Sequence, residues 1–130
     1  MKEIITGLRA TAHLTVDEAA TAKTVGSGSL NVFATPMMAA LMEQAACHAV
    51  APFLEEGETT VGTELNIRHT AATPQGLMVI AEAELVSQNG REILLNVTAR
   101  DSVGEIGTGT HKRFVVNAEK FQSKADGRGR

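Results

Sequence analysis

Apolar and polar residues alternate along LRATAHLTV, residues 8 to 16, so that Leu8, Ala10, Ala12, Leu14 and Val16 share one face at period two. That period predicts a half-buried strand. Between Asp17 and Asn31 the alternation stops. Gly26, Ser27, Gly28 and Ser29 favour flexible backbone there, and the stretch reads as a loop or lid. A helix is predicted to start at Thr35-Pro36. Threonine can cap free N–H groups, and proline at the first helical position lacks a donor that would have no partner anyway. The helix should run to about Leu54, with Pro52 bending its last turn and Gly57 closing it.

After Gly57 the period returns to two. Residues 59 to 70 place Val61, Leu65, Ile67 and His69 on one side and Asn66, Arg68 and Thr70 on the other. Residues 77 to 87 lead into Asn89-Gly90, a strong hairpin signal, residues 91 to 101 run back, and residues 105 to 117 form the last strand. This order predicts one α+β domain over residues 1 to 120, in which an antiparallel sheet of about five strands wraps a long central helix. Residues 121 to 130, with Gly127 and Gly129, are expected to be a flexible basic tail. A single helix leaves such a sheet with exposed apolar surface, and a twofold dimer is the usual remedy.

On a helical wheel of roughly 100° per residue, Met37, Met38, Leu41, Met42, Ala45, Ala49 and Phe53 share one broad face, expected to pack on the sheet. The opposite face should carry Lys, Glu and Arg if it met water, yet it reads Ala39, Ala40, Glu43, Ala46, Cys47 and Val50. A helix apolar nearly all round is buried nearly all round, so Glu43 is expected to be enclosed. An enclosed carboxylate is costly unless paired, hydrogen-bonded or protonated. Glu43 is therefore either a functional group or half of a structural ion pair. His69 continues the inward face of Leu65 and Ile67, as a satisfied core histidine or a site residue. Thr35, taken alone, is most simply a helix cap.

Composition narrows the chemistry. The chain has 130 residues, a formal net charge of -3, no Trp, no Tyr and four Phe. Neither the basic groove nor the stacking aromatics that single-stranded nucleic acid requires are present. Cys47 is the sole cysteine, which permits no internal disulfide and favours a reducing compartment. Glu3, Arg9 and His13 interrupt the place where a signal peptide needs an apolar core, and no apolar run approaches a membrane span. A cytoplasmic protein is expected. His13, His48 and His111 show no ligand spacing, and no metal is assigned.

Read together, VFATPMMAALMEQAAC (32 to 47), VGTELNIRHTAATPQGL (61 to 77) and EIGTGTHKR (105 to 113) resemble the fluoroacetyl-CoA thioesterase family of hot-dog-fold proteins. The specific parts are FAT, LMExA, HTAATPxGL and EIGxGTHxR, in order, from about Phe33 to Phe121. The resemblance implies a hot-dog dimer that hydrolyses a short-chain acyl-CoA, with coenzyme A as part of the substrate and no separate cofactor. It implies Thr35 as active-site threonine, Glu43 as nucleophile or general base, and His69 as catalytic histidine. Gly62 would lie at the thioester and Arg113 near the coenzyme A arm. Gly26 and Ser29 stand where the family's fluoroacetyl-specific member carries lid phenylalanines, which argues against that narrow specificity. A non-catalytic acyl-CoA binding module on the same fold is the competing reading. A hot-dog dehydratase is disfavoured, because that family's helix motif is missing.

One constraint follows from helix geometry. Thr35 and Glu43 are eight residues apart, roughly 12 Å of axial rise, too far for a direct hydrogen bond. A site using both is expected at the seam between two subunits.

Overall fold

Each alternating stretch becomes a strand whose apolar residues turn one way. In the computed structural model, which describes residues 1–130, the chain begins with β1 (Arg9–Thr15), a 3-10 turn (Glu18–Ala20) and a short helix α1 (Ala22–Val25). There follow α2 (Thr35–Val50), a second 3-10 turn (Ala51–Phe53), β2 (Glu58–His69), β3 (Met78–Asn89), β4 (Glu92–Arg100), β5 (Glu105–Asn117) and α3 (Ala118–Asp126). The strands form one antiparallel sheet in the order β1-β3-β4-β5-β2, so β1 and β2 are its edges.

The sheet curls around α2, which packs mainly on β1 and β3 and also touches β4 and β2. Its inner rows are Val79, Ala81, Ala83 and Leu85 on β3 and Ile93, Leu95, Val97 and Ala99 on β4, all buried. Facing them on α2 are Met38, Leu41, Met42, Ala45, Ala46, Ala49 and Val50. Ala46 and Val50 were expected on the far face; a curled sheet covers a wider arc of helix than a flat one. Ala40, Gln44, Cys47 and His48 remain exposed.

Several local expectations are corrected. The helix ends at Val50, and Pro52, which cannot donate to the α-helical ladder, lies in a separate 3-10 turn. Gly57, with φ 81°, lies in the turn beyond it and does not close the helix. The N-cap of α2 is Ala34, without a side-chain bond, so Thr35 is the first helical residue and its hydroxyl is free for another partner. The lid stretch contains order: Asp17 and Thr21 cap its two helical turns, and Gly26 ends α1 at φ 89°. Residues 118–126, partly assigned to the tail, form a helix capped by Asn117, with no residue buried. The hairpin turn is Gly90-Arg91, one residue later than Asn-Gly, with Gly90 at φ 62°.

The strand register also departs from simple alternation. Gly62 opposes Arg113 and Glu64 opposes Lys112, which leaves Thr63 as the extra residue of a bulge. The inward set therefore passes from Thr60 and Gly62 before the bulge to Leu65, Ile67 and His69 after it, and Val61 is out of phase with them. On β5 the inward row is Gly107, Gly109, His111, Arg113 and Val115. Its small end admits the helix: a Cβ on Gly107 would meet Met38 Sδ at 2.6 Å and the Arg68 carbonyl at 2.9 Å. Gly107→Ala should cost about 1–3 kcal/mol of stability by overpacking, read as a lower urea midpoint with an unchanged slope.

Candidate active site

The sequence-predicted site residues fall into two clusters along β2. The first lies where the start of α2 meets the end of β2. Thr35 Oγ1 and His69 Nδ1 are 2.7 Å apart, and the edge of Phe33 packs on the imidazole with ring centroids 6.3 Å apart. His69 Nε2 is buried and has no hydrogen-bond partner. Burial holds the ring below the usual histidine value of 6.5, opposed by the Ala71 carbonyl, so it stays neutral further into acid.

This cluster opens into a cavity of about 260 Å³, walled by Thr70, Ala71 and Ala72, by Ala22 and Ser27 of the lid, and by Val32 and Phe33 just after it. Backbone bonds fasten the lid: Phe33 N donates to the Thr73 carbonyl at 2.8 Å and Ala34 N to the Ala20 carbonyl at 2.9 Å. Thr73 in turn donates its hydroxyl to Asp101 Oδ2 at 2.7 Å, which lowers the Asp101 carboxyl below its usual 3.8. Gly26 and Ser29 are exposed, and neither lines the cavity.

The second cluster surrounds Glu43. Arg113 Nη1 donates to Glu43 Oε2 at 3.2 Å, with His111 Nε2 at 3.8 Å from the same oxygen. Arg113 was expected near the coenzyme A arm. It is buried, and its fork is taken up inside the chain: Nε donates to Thr60 Oγ1 at 2.8 Å and Nη2 to the Thr60 carbonyl at 3.1 Å. Glu43 is less enclosed than expected, its side chain 41% exposed on the bare side of α2. Gly62 supplies the gap between them, since a Cβ there would collide with Glu43 Oε2 and stand 3.2 Å from Arg113 Nη1.

No hydrogen bond joins the two clusters. Gly62, against Glu43, and His69, against Thr35, are seven residues apart on β2, roughly 20 Å along a strand. His111 and Thr60 were not singled out from the sequence. The signal was available in THKR, where His111 and Arg113 alternate onto one inward row, but it takes on meaning only once that row faces Glu43.

Comparison with known proteins assigns the family. Residues 16–119 match the family model for fluoroacetyl-CoA-specific thioesterases. The chain belongs to this family. A fluoroacetyl-CoA thioesterase of Streptantibioticus cattleyicolor is 53% identical over 93 residues, 72% of this chain and 67% of that protein. The solved structure of a fluoroacetyl-CoA thioesterase superposes with a TM-score of 0.92 at 40% identity, covering 99% of this chain and 100% of that one. A hot-dog-like protein from Thermanaerovibrio acidaminovorans superposes at TM-score 0.87 and 20% identity, covering 98% and 94%, which speaks to the fold alone. The protein is a thioester hydrolase with a hot-dog fold. No helix in it is long and apolar enough to cross a membrane.

The half-buried His69 and the buried His111 predict a pH response. Burial lowers both His69 and His111 below 6.5, so the unfolded chain takes up protons at a higher pH than the folded one. Stability should therefore be full above pH 6.5 and fall as pH drops below it. Glu58 and Asp101, both lowered, lose their contributions only below their usual 4.5 and 3.8. Urea denaturation between about pH 7.5 and about pH 5 should show this decline, shallower in His69→Gln.

Proposed function

We propose that the chain hydrolyses a short-chain acyl-CoA to the carboxylate and free coenzyme A, at a site completed by two copies of the chain. The observation that carries this reading is the division of Thr35 and His69 from Glu43 within one chain. Hydrolysis needs a nucleophile or activated water, a donor for the developing oxyanion and help for the departing thiolate. Glu43 attacks the carbonyl or deprotonates water. Thr35 and neutral His69 orient and polarise the acyl group, and the Gly62 N–H is a candidate oxyanion donor.

The free edge of β2 supports the pairing. Two β2 edges aligned antiparallel about a twofold axis between Leu65 and Asn66 would set Gly62 of one copy opposite His69 of the other. That register joins Glu43 of one copy to Thr35 and His69 of its partner and covers the exposed face of Ala40, Gln44 and Cys47. Because Arg113 is occupied inside the chain, it serves Glu43 in this scheme rather than coenzyme A. Cys47, the sole cysteine, is a free thiol, which suits a reducing, cytoplasmic setting.

The acyl group is read as short and not restricted to fluoroacetyl. Small side chains, Ala22 and Ser27, are what the lid offers to the cavity, and the named relatives act on fluoroacetyl-CoA. Across acetyl-, propionyl-, butyryl- and fluoroacetyl-CoA, the fluorinated substrate should show no marked advantage in kcat/KM.

Release of free thiol from that panel tests the chemistry. Glu43→Gln should lower kcat by roughly 100-fold or more. Tight binding of every ester without hydrolysis by the wild type would favour the binding-module reading. Mixing tests the shared site: Thr35→Ala and Glu43→Gln subunits, each inactive alone, should together recover up to about a quarter of wild-type activity. Half the random dimers then hold one intact site of two. A site complete within one chain would recover none.

A further inference from the structure

Resting on the thioesterase reading, we propose that His111 is a positioning residue. Its neutral ring holds the Arg113 guanidinium in the orientation that meets Glu43. His111 is 1% exposed, on the inward row of β5. Its Nδ1 lies 2.8 Å from the Glu64 carbonyl oxygen, which can only accept, so Nδ1 carries a proton. Its Nε2 lies 3.1 Å from Arg113 Nη1, which can only donate, so Nε2 is bare. Two independent contacts thus require the same neutral tautomer.

Arg113 Nη1 has two N–H bonds; one goes to His111 and the other to Glu43 Oε2 at 3.2 Å. With Thr60 holding Nε and Nη2, the guanidinium is held on both sides and its plane is fixed. The bulge at Thr63 displaces the backbone beside the Glu64 carbonyl that orients the ring. The charged groups facing the ring are Arg113 on its own strand and Glu43 from α2. β2 presents Gly62, Leu65 and the Glu64 carbonyl, and β4 presents Leu95. The Glu64 carboxylate turns outward to Lys112 at 3.3 Å.

A protonated His111 has no lone pair for Arg113. It would set a second cation 3.1 Å from Nη1 and compete for Glu43 Oε2. Burial and the nearby guanidinium both oppose that proton.

Two substitutions separate the ring nitrogens. In His111→Asn the amide can still donate to the Glu64 carbonyl but does not reach Arg113. In His111→Gln the amide oxygen takes the place of Nε2. We expect His111→Asn, folded by circular dichroism, to lose roughly tenfold or more in kcat with KM within about a factor of three. His111→Gln should restore most of the rate and remove one ionisation from the acid limb of kcat. Ring-nitrogen NMR of the wild type without substrate should show His111 protonated at Nδ1 and bare at Nε2 at neutral pH. The proposal falls if folded His111→Asn keeps wild-type kcat, if His111→Gln loses as much as His111→Asn, or if the ring is the other tautomer or a cation. Should the wild type hydrolyse no acyl-CoA, the thioesterase reading fails, while the NMR result still decides the tautomer.

Discussion

An apolar helix that carries a lone carboxylate in its middle needs a cation delivered from another element, and Arg113 is that cation. Much of the local architecture exists to bring it there. The glycine at 62 leaves room for the contact, Thr60 takes two of the guanidinium nitrogens, and the bulge at Thr63 resets the facing of β2. Arg113 is buried and Glu43 is 41% exposed. The pair is thus worth less than a fully buried one, where losing a partner costs about 3–5 kcal/mol. Its larger effect is geometric: a helical side chain with freedom to sample water is held to one place.

That placement explains why Glu43 stays apart from Thr35 and His69 within one chain. Helix and strand leave the Thr35–His69 contact together, but a helix advances about 1.5 Å per residue and a strand about 3.3 Å. By the time α2 reaches Glu43 and β2 is followed back to Gly62, the two clusters are separated by more than any side chain spans. The curled sheet cannot close this distance without breaking its register. An edge strand with free N–H and C=O groups is also a liability in a soluble domain unless something pairs with it. The separation of the two clusters and the open edge both belong to β2.

The strands were legible because period two survives even in short segments. Residues 105 to 117 were bounded correctly, and the other strands to within two residues. Pattern reading did less well wherever one residue changed the phase. Thr63 shifts the inward set of β2, and nothing about a threonine in a strand announces a bulge. Thr35 looked like a cap because its type and the following proline suit one, yet the helix begins one residue earlier and the hydroxyl goes to His69. The partner of Arg113 is not legible locally, because it is Glu43, seventy residues away. Thr35, Glu43 and His69 stand out in the chain alone, whereas their division into two clusters depends on the three-dimensional course of α2 and β2.

The lid backbone constrains which side chains it can carry. At Gly26 the backbone turns left-handed, with φ 89°, to end α1, a conformation that side chains with a Cβ adopt only under strain. An aromatic ring at this position would have to refold the turn that precedes the cavity before it could narrow the entrance. Ser27 and Ser29 carry no such restriction. A larger side chain is therefore accommodated by single substitutions beside the glycine and opposed at the glycine itself, so the backbone limits what the lid can carry in one step.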